Sequence, residues 1–281
     1  ASVARLAGAA HRRSRCDALF MKGTTKMHPV LLQIGSLKIY SYGVFVAIGF
    51  LAALWVSGRE IARQGLDREK FLDMGFWVVL SAIAGARIFH VLVYWRQYAE
   101  APGEILKLWN GGLVFYGGFI AAVAACVVFL RRNRMPFLPV ADASSIGIVL
   151  GLAFGRLGCT SAGCCFGKPT TLPWAITFTD PACLAPLNVP LHPTQIYESM
   201  GSFAIFGFLY VARDRFKTPG TRFWTMLILY GAARAFFEIF RDDPRGFVGP
   251  FSESQAVSAV LIAYAVVSIL RARSKATTAT R

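Results

Sequence analysis

A chain of 281 residues is long enough for one or two soluble domains, but 55% hydrophobic and only 16% charged residues leave too little polar surface to cover them. Apolar runs of spanning length recur, so the class is an all-α polytopic membrane protein with about seven transmembrane helices around a lipid-accessible central cavity. The net charge of +15 does not imply nucleic acid, because the basic residues fall in short clusters between apolar runs and form no single face.

Residues 1–26 are rich in Ala and Arg, include His11-Arg12-Arg13-Ser14-Arg15, and hold no apolar core. They lack the h-region of a secretory signal and read as a disordered or non-native leader, with Met27 as the start. A membrane domain is expected over 27–273, with a short tail at 274–281. Its predicted spans are 40–56, 71–94, 111–130, 140–154, 196–211, 223–240 and 255–270. The second is expected to be interrupted at Gly85-Ala86-Arg87 and His90, and the fourth is short for a membrane crossing.

The loops set the orientation. Arg59, Arg63, Arg68 and Lys70, then Arg131, Arg132 and Arg134, then Arg213, Arg215, Lys217 and Arg222, and finally Arg271, Arg273, Lys275 and Arg281 alternate with loops carrying fewer cations. The positive-inside rule places that set in the cytoplasm, which predicts an outward N-terminus and a cytoplasmic C-terminus. The Pro-rich segment 168–191 is then an outward cap.

The chemistry concentrates between Gly155 and Gly167. Gly155, Gly158, Gly163 and Gly167 alternate there with Arg156, Cys159, Cys164 and Cys165. That composition reads as backbone bent at membrane depth, tolerated only where it lines a cavity or is buried in protein. Ionisable groups inside spans are costly and mark function or pairing. They are Arg87 with His90, Arg156, Glu198, Arg234 with Glu238, and Arg241. Arg234 and Glu238 are four apart and share a helical face, so they can pair directly. Arginines converging on one cavity suit a phosphate, which a guanidinium binds bidentately, and an anionic phospholipid headgroup is the phosphate available there. Tyr197 and Glu198, in the motif from His192 to Glu198, can face the same site. The thiols of Cys159, Cys164, Cys165 and Cys183 allow a structural disulfide or packing, a reactive thiolate, or a metal site. The spacing Cys-x4-Cys-Cys departs from zinc-binding patterns, so no metal and no cofactor are assigned.

Several of these stretches coincide in order and spacing. Ile39-Tyr40-Ser41-Tyr42-Gly43, Gly85-Ala86-Arg87, Tyr116-Gly117-Gly118, Asp142, Gly155-Arg156, His192 to Glu198, Tyr230 to Arg234, Glu238 to Arg241 and Ser254-Gln255 resemble the phosphatidylglycerol–prolipoprotein diacylglyceryl transferases over most of 27–273. The resemblance implies a bacterial inner-membrane enzyme. It would move the diacylglyceryl group of phosphatidylglycerol to the lipobox cysteine of a prolipoprotein signal peptide and release glycerol-1-phosphate. It implies that Arg156, Arg234, Tyr116 and Tyr42 are catalytic. It further implies that Arg156, Arg234, Arg241, Arg87, Tyr230, Glu238, Gly117, Gly118, Gly167 and Tyr197 bind substrate. The sequence departs from the family at Cys159 and Cys164, where Asn and Glu are usual, and at Tyr116, where a His is usual. The alternative is a membrane thiol-redox or metal-handling protein using Cys159, Cys164 and Cys165 on the same fold.

Overall fold

The computed structural model describes residues 29–34, 37–107, 111–242, 247–248 and 251–279. The leader expected at 1–26 lies outside these residues. The described chain is mainly helical. A hairpin of β1 (Val30–Ile34) and β2 (Leu37–Tyr40) leads into α1 (Ser41–Arg63). Then come α2 (Arg68–Val93), the short α3 (Trp95–Glu100), α4 (Phe115–Arg132) and α5 (Phe137–Ala162). The pair β3 (Ile176–Thr177) and β4 (Pro190–Leu191) precedes α6 (Thr194–Val211). After α7 (Thr221–Phe237) and a 3₁₀ turn at Glu238–Phe240, the small hairpin β5 (Phe247–Val248) and β6 (Phe251–Ser252) enters α8 (Glu253–Ala279).

Six of these helices are long and apolar enough to cross a membrane. The seventh expected span, α6, is more polar because Thr194, Gln195, Glu198, Ser199 and Ser202 turn inward and are buried. Their partners are in the protein. Ser199 Oγ donates to the Ala153 carbonyl of α5 at 2.9 Å, and Ser202 Oγ to the Glu198 carbonyl at 2.8 Å. A helix that satisfies its polar face internally can sit at membrane depth without being apolar all round.

The chain divides into two compact units, one of residues 54–145 and one of 1–53 with 146–281. The first is built on the pairing of α2 with α4. Gly85 of α2 and Gly117 of α4 face each other closely: a Cβ on Gly117 would lie 2.5 Å from the Gly85 carbonyl, and one on Gly118 2.9 Å from the Ala82 carbonyl. Small residues let the two backbones approach, as membrane helices favour. This explains why α2 runs unbroken from Arg68 to Val93, where an interruption at Gly85 was expected. The glycine serves packing and leaves the helical hydrogen bonds intact. At the other end of the unit, Ile61, Phe71, Met74, Leu130, Val140 and Ala143 close a core with Leu54 and Phe129 against it.

In the second unit, α7 packs on α6 and on α8. Gly49 of α1 meets Gly151 of α5, where a Cβ would fall 2.9 Å from the Gly151 carbonyl. The segment after α5 folds around its own small core of Phe178, Ala185 and Leu191, with Phe166, Ile176, Cys183 and Val189 packed against them.

The central stretch corrects one expectation. Gly155 to Ala162 are the last turns of α5, a single 26-residue helix, and only Gly163 to Gly167 is irregular. Thr160 Oγ1 and Ser161 Oγ bond back to the carbonyls of Arg156 and Leu157, which keeps these polar residues helical. Gly158 is required by packing, since a Cβ there would meet Phe45 Cβ at 3.1 Å and Tyr42 at 3.2 Å. The helix stops at Gly163, whose φ of +70° only glycine adopts freely.

Candidate functional site

Five helices of the second unit bring the same end to one place. The N-termini of α1, α6 and α8 and the C-termini of α5 and α7 carry Tyr42, Glu198, Ser254, Arg156 and Arg234, and Arg241 follows the turn after α7. Arg234 sits in the last turn of α7, the pole that favours its charge, while Arg156 and Glu198 lie just inside the last turn of α5 and the first turn of α6.

Glu198 is the hub. Its Oε2 lies 2.7 Å from Arg156 Nε, and its Oε1 lies 2.7 Å from Arg241 Nη1 and 3.7 Å from Arg234 Nη1. Arg234 also pairs with Glu238 at 2.6 Å, the direct i,i+4 contact expected from sequence. Arg234 Nη2 donates to Ser254 Oγ at 2.9 Å. The side chains of Arg241 and Glu198 are 2% and 5% exposed, so these charges interact with little solvent screening. Three guanidiniums against two carboxylates leave one positive charge inside the protein. A buried positive charge left unmatched attracts an anion.

Around the hub stand the other expected residues. Tyr42, 45% exposed, packs over Gly158 beside Arg156 and the cysteines. Tyr230 of α7 is within electrostatic reach of Arg156. Tyr197 Oη accepts from Trp174 Nε1 at 2.7 Å and lies 3.4 Å from His192 Nδ1, which ties the start of α6 to the cap segment. Gly167 is the crossing point of three backbones. It bridges to Arg241, and a Cβ there would lie 2.7 Å from the His192 carbonyl and 2.8 Å from that of Phe240. Arg241 is thereby held by its backbone as well as by its side chain.

The cysteines form a third feature. The Sγ atoms of Cys159, Cys164 and Cys165 all lie within 4.8 Å of one another. Arg156 Nη1 donates to Cys165 Sγ at 3.7 Å. Hydrogen bonds from Cys159 and Cys164, and the charge of Arg241, push the Cys165 thiol down, while the Cys164 thiol, donating to its neighbours and buried, is pushed up. Cys183 lies on the cap segment with its Cβ against the Gly163 turn, and burial raises its thiol. All four are free thiols, so the disulfide reading finds no bond here.

Three expected residues, Tyr116, Gly117 and Gly118, belong to the other unit, as does Arg87. Tyr116 opens α4 and is 66% exposed, and the two glycines face α2. Arg87, 6% exposed, donates through Nε, Nη1 and Nη2 to the carbonyls of Ile105, Gly111, Gly112, Glu104 and Lys107, at 2.5–3.4 Å. It clamps the segment between α2 and α4. A concavity of about 480 Å³ in this unit is lined by Val127, Leu130, Arg131, Arg134, Met135 and Phe137 and holds none of the expected site residues.

Sequence reading placed Glu198 among the costly charges and allowed that it faces the site, but gave it no role, and it assigned none to Ser254, Thr194 or Gln195 beyond a motif or a helix cap. Thr194 Oγ1 donates to the Cys165 carbonyl at 2.7 Å and Gln195 Nε2 to the Cys164 carbonyl at 2.8 Å. The available signal was a carboxylate opening an otherwise apolar helix.

The family profile described as prolipoprotein diacylglyceryl transferase matches residues 29–271. A phosphatidylglycerol–prolipoprotein diacylglyceryl transferase of Clostridium tetani is 34% identical over 251 residues, covering 89% of this chain and 100% of the relative. A protein of the same name in Finegoldia magna is 36% identical over 245 residues, 86% of this chain and 95% of the relative. One in Clostridium perfringens, named as a second such transferase, is 34% identical over 236 residues, 84% and 92% of the two chains.

Proposed function

The chain belongs to the prolipoprotein diacylglyceryl transferase family, and on that premise we propose that it transfers the sn-1,2-diacylglyceryl group of phosphatidylglycerol to the lipobox cysteine of a prolipoprotein signal peptide. The observation that carries the site assignment is the buried cluster of Arg156, Arg234 and Arg241 around Glu198 and Glu238, one positive charge in excess. That excess matches the single negative charge of a phosphodiester.

The reaction makes a carbon–sulfur bond and breaks the bond between the glyceryl carbon and the phosphate oxygen. The substrate thiol loses its proton, and glycerol-1-phosphate departs with the bonding electrons. A phosphate monoester is a stable anion once guanidiniums hold it, so stabilisation of the leaving group by Arg156 and Arg234 is the main contribution. The thiol, near pKa 8.5, is already a few per cent ionised at neutral pH, and the same cations favour its thiolate. Base catalysis is therefore secondary, with Tyr42 orienting the thiol or relaying its proton. Glu238 holds Arg234 in place, and Glu198 holds Arg156 and Arg241. Family membership and the charge cluster both favour transfer over the thiol-redox or metal-handling alternative.

The substrate headgroup enters from the outer leaflet. Support comes from the Lys- and Arg-rich segments 213–222 and 271–275, at the ends of α6, α7 and α8 away from the cluster, which belong in the cytoplasm. With those loops inside a bacterial plasma membrane, the N-terminus is periplasmic and the C-terminus cytoplasmic. The test is rescue of lipoprotein modification in a bacterium depleted of its own transferase. The wild-type chain restores it, and Arg156→Ala and Arg234→Ala do not. Rescue by Arg156→Ala equal to wild type sinks the assignment of the phosphate site.

A further inference from the structure

The Cys-x4-Cys-Cys spacing across the end of α5 departs from the usual zinc-binding patterns, yet the backbone gathers the three sulfurs. Cys159 occupies the last full turn of α5. Gly163, at φ +70°, ends the helix, and the amide of Cys164 turns back to the Cys159 carbonyl at 3.2 Å. Cys165 is itself held at φ +61°, a conformation a side-chain-bearing residue rarely adopts, and this brings the third sulfur to the other two. The arrangement is fixed from outside by α6. Thr194 and Gln195, 0% and 1% exposed, bond the carbonyls of Cys165 and Cys164.

We propose that Cys159, Cys164 and Cys165 bind one thiophilic d10 metal ion of the Zn²⁺ class, with three protein thiolates and a fourth position left to a water or other small ligand. Each cysteine offers one sulfur, and the three lie within 4.8 Å of one another. With Zn–S bonds of about 2.3 Å, tetrahedral ligands stand about 3.8 Å apart, so the sulfurs need to move together by no more than about 1 Å. A disulfide joins two sulfurs at about 2.05 Å and leaves an odd third thiol, whereas a metal uses all three. Thiolate donors select a soft or borderline cation over Mg²⁺ or Ca²⁺. Arg156 Nη1 lies 3.7 Å from Cys165 Sγ, so a hydrogen-bond donor already stands beside one of the three sulfurs. Buried close by, Gln195 Oε1 has no hydrogen-bond partner among the described residues, an acceptor that a metal-bound water can satisfy. The site is additional to the transfer reaction and does not depend on it.

The experiment uses the full-length chain in detergent micelles, reduced and stripped of metal, titrated with Co²⁺ alone and then Zn²⁺. The expected result is a sulfur-to-cobalt charge-transfer band that saturates at one ion per chain and is displaced by Zn²⁺. Cys159→Ser and Cys165→Ser each weaken Co²⁺ binding at least about tenfold, while Cys183→Ser and Cys126→Ser leave it unchanged. No charge-transfer band in the reduced wild-type protein overturns the proposal, as does a band that survives in the variant lacking all three thiols. A second measurement avoids variants that fail to fold. Zn²⁺ should protect Cys159, Cys164 and Cys165 of the wild-type chain from alkylation, read by mass spectrometry, and not Cys183. Equal labelling with and without Zn²⁺ also overturns it.

Discussion

Glu198 brings a carboxylate into the first turns of α6 and binds two arginines at 2.7 Å. Removing one partner of a buried ion pair leaves uncompensated charge and costs about 3–5 kcal/mol. Glu198→Gln is therefore expected to lower the thermal unfolding midpoint of the detergent-solubilised protein sharply, since three arginines then face only Glu238. An unchanged midpoint contradicts the role of hub. Arg156→Lys should fare differently from Arg156→Ala. The ammonium restores the charge beside Glu198 but not the forked geometry, so a fraction of the transfer rate survives, whereas the alanine loses about 10²-fold or more. Kinetics with phosphatidylglycerol and a lipobox peptide separate the two. At this scale the sequence was informative about which charges are costly, and about the Arg234–Glu238 pair, because both are local. It did not reveal Glu198 as the common partner, because its contacts reach Arg156 and Arg241 across long stretches of chain.

Close helix contacts decide the next scale. Gly117 of α4 lies so near Gly85 and Phe89 of α2 that a Cβ has no room. Gly117→Ala should destabilise the protein by about 1–3 kcal/mol through forced separation of the two helices, seen as a lowered unfolding temperature. Arg87 is expected to act on the same unit. Arg87→Met strips five carbonyls of their donors, with an expected cost of at least about 3 kcal/mol and faster protease nicking of 101–112. Wild-type cleavage rates would show that the clamp is dispensable. The spans themselves were readable from apolar runs. The continuity of α2 through Gly85 and of α5 through Gly155 to Ala162 was not, because a glycine that permits close packing and one that bends the chain look alike in sequence. Only the partner helix distinguishes them.

The whole molecule puts its charge where it can act. In the second unit, the basic segments 213–222 and 271–275 lie at the ends of α6, α7 and α8 away from the cluster, and the three site arginines are buried with two carboxylates. That asymmetry follows from the bilayer, which expels charge from helix centres and tolerates it where partners or a polar ligand wait. A cluster with one unmatched positive charge needs an anion, and the family's lipid substrate provides one. The most direct measurement is turnover by the purified chain given phosphatidylglycerol and a lipobox peptide. The expected result is a peptide heavier by one diacylglyceryl group, with one glycerol phosphate released for each, and loss of both products in Arg156→Ala and Arg234→Ala. An unmodified peptide with the wild-type chain, or full turnover in either arginine variant, would contradict the account.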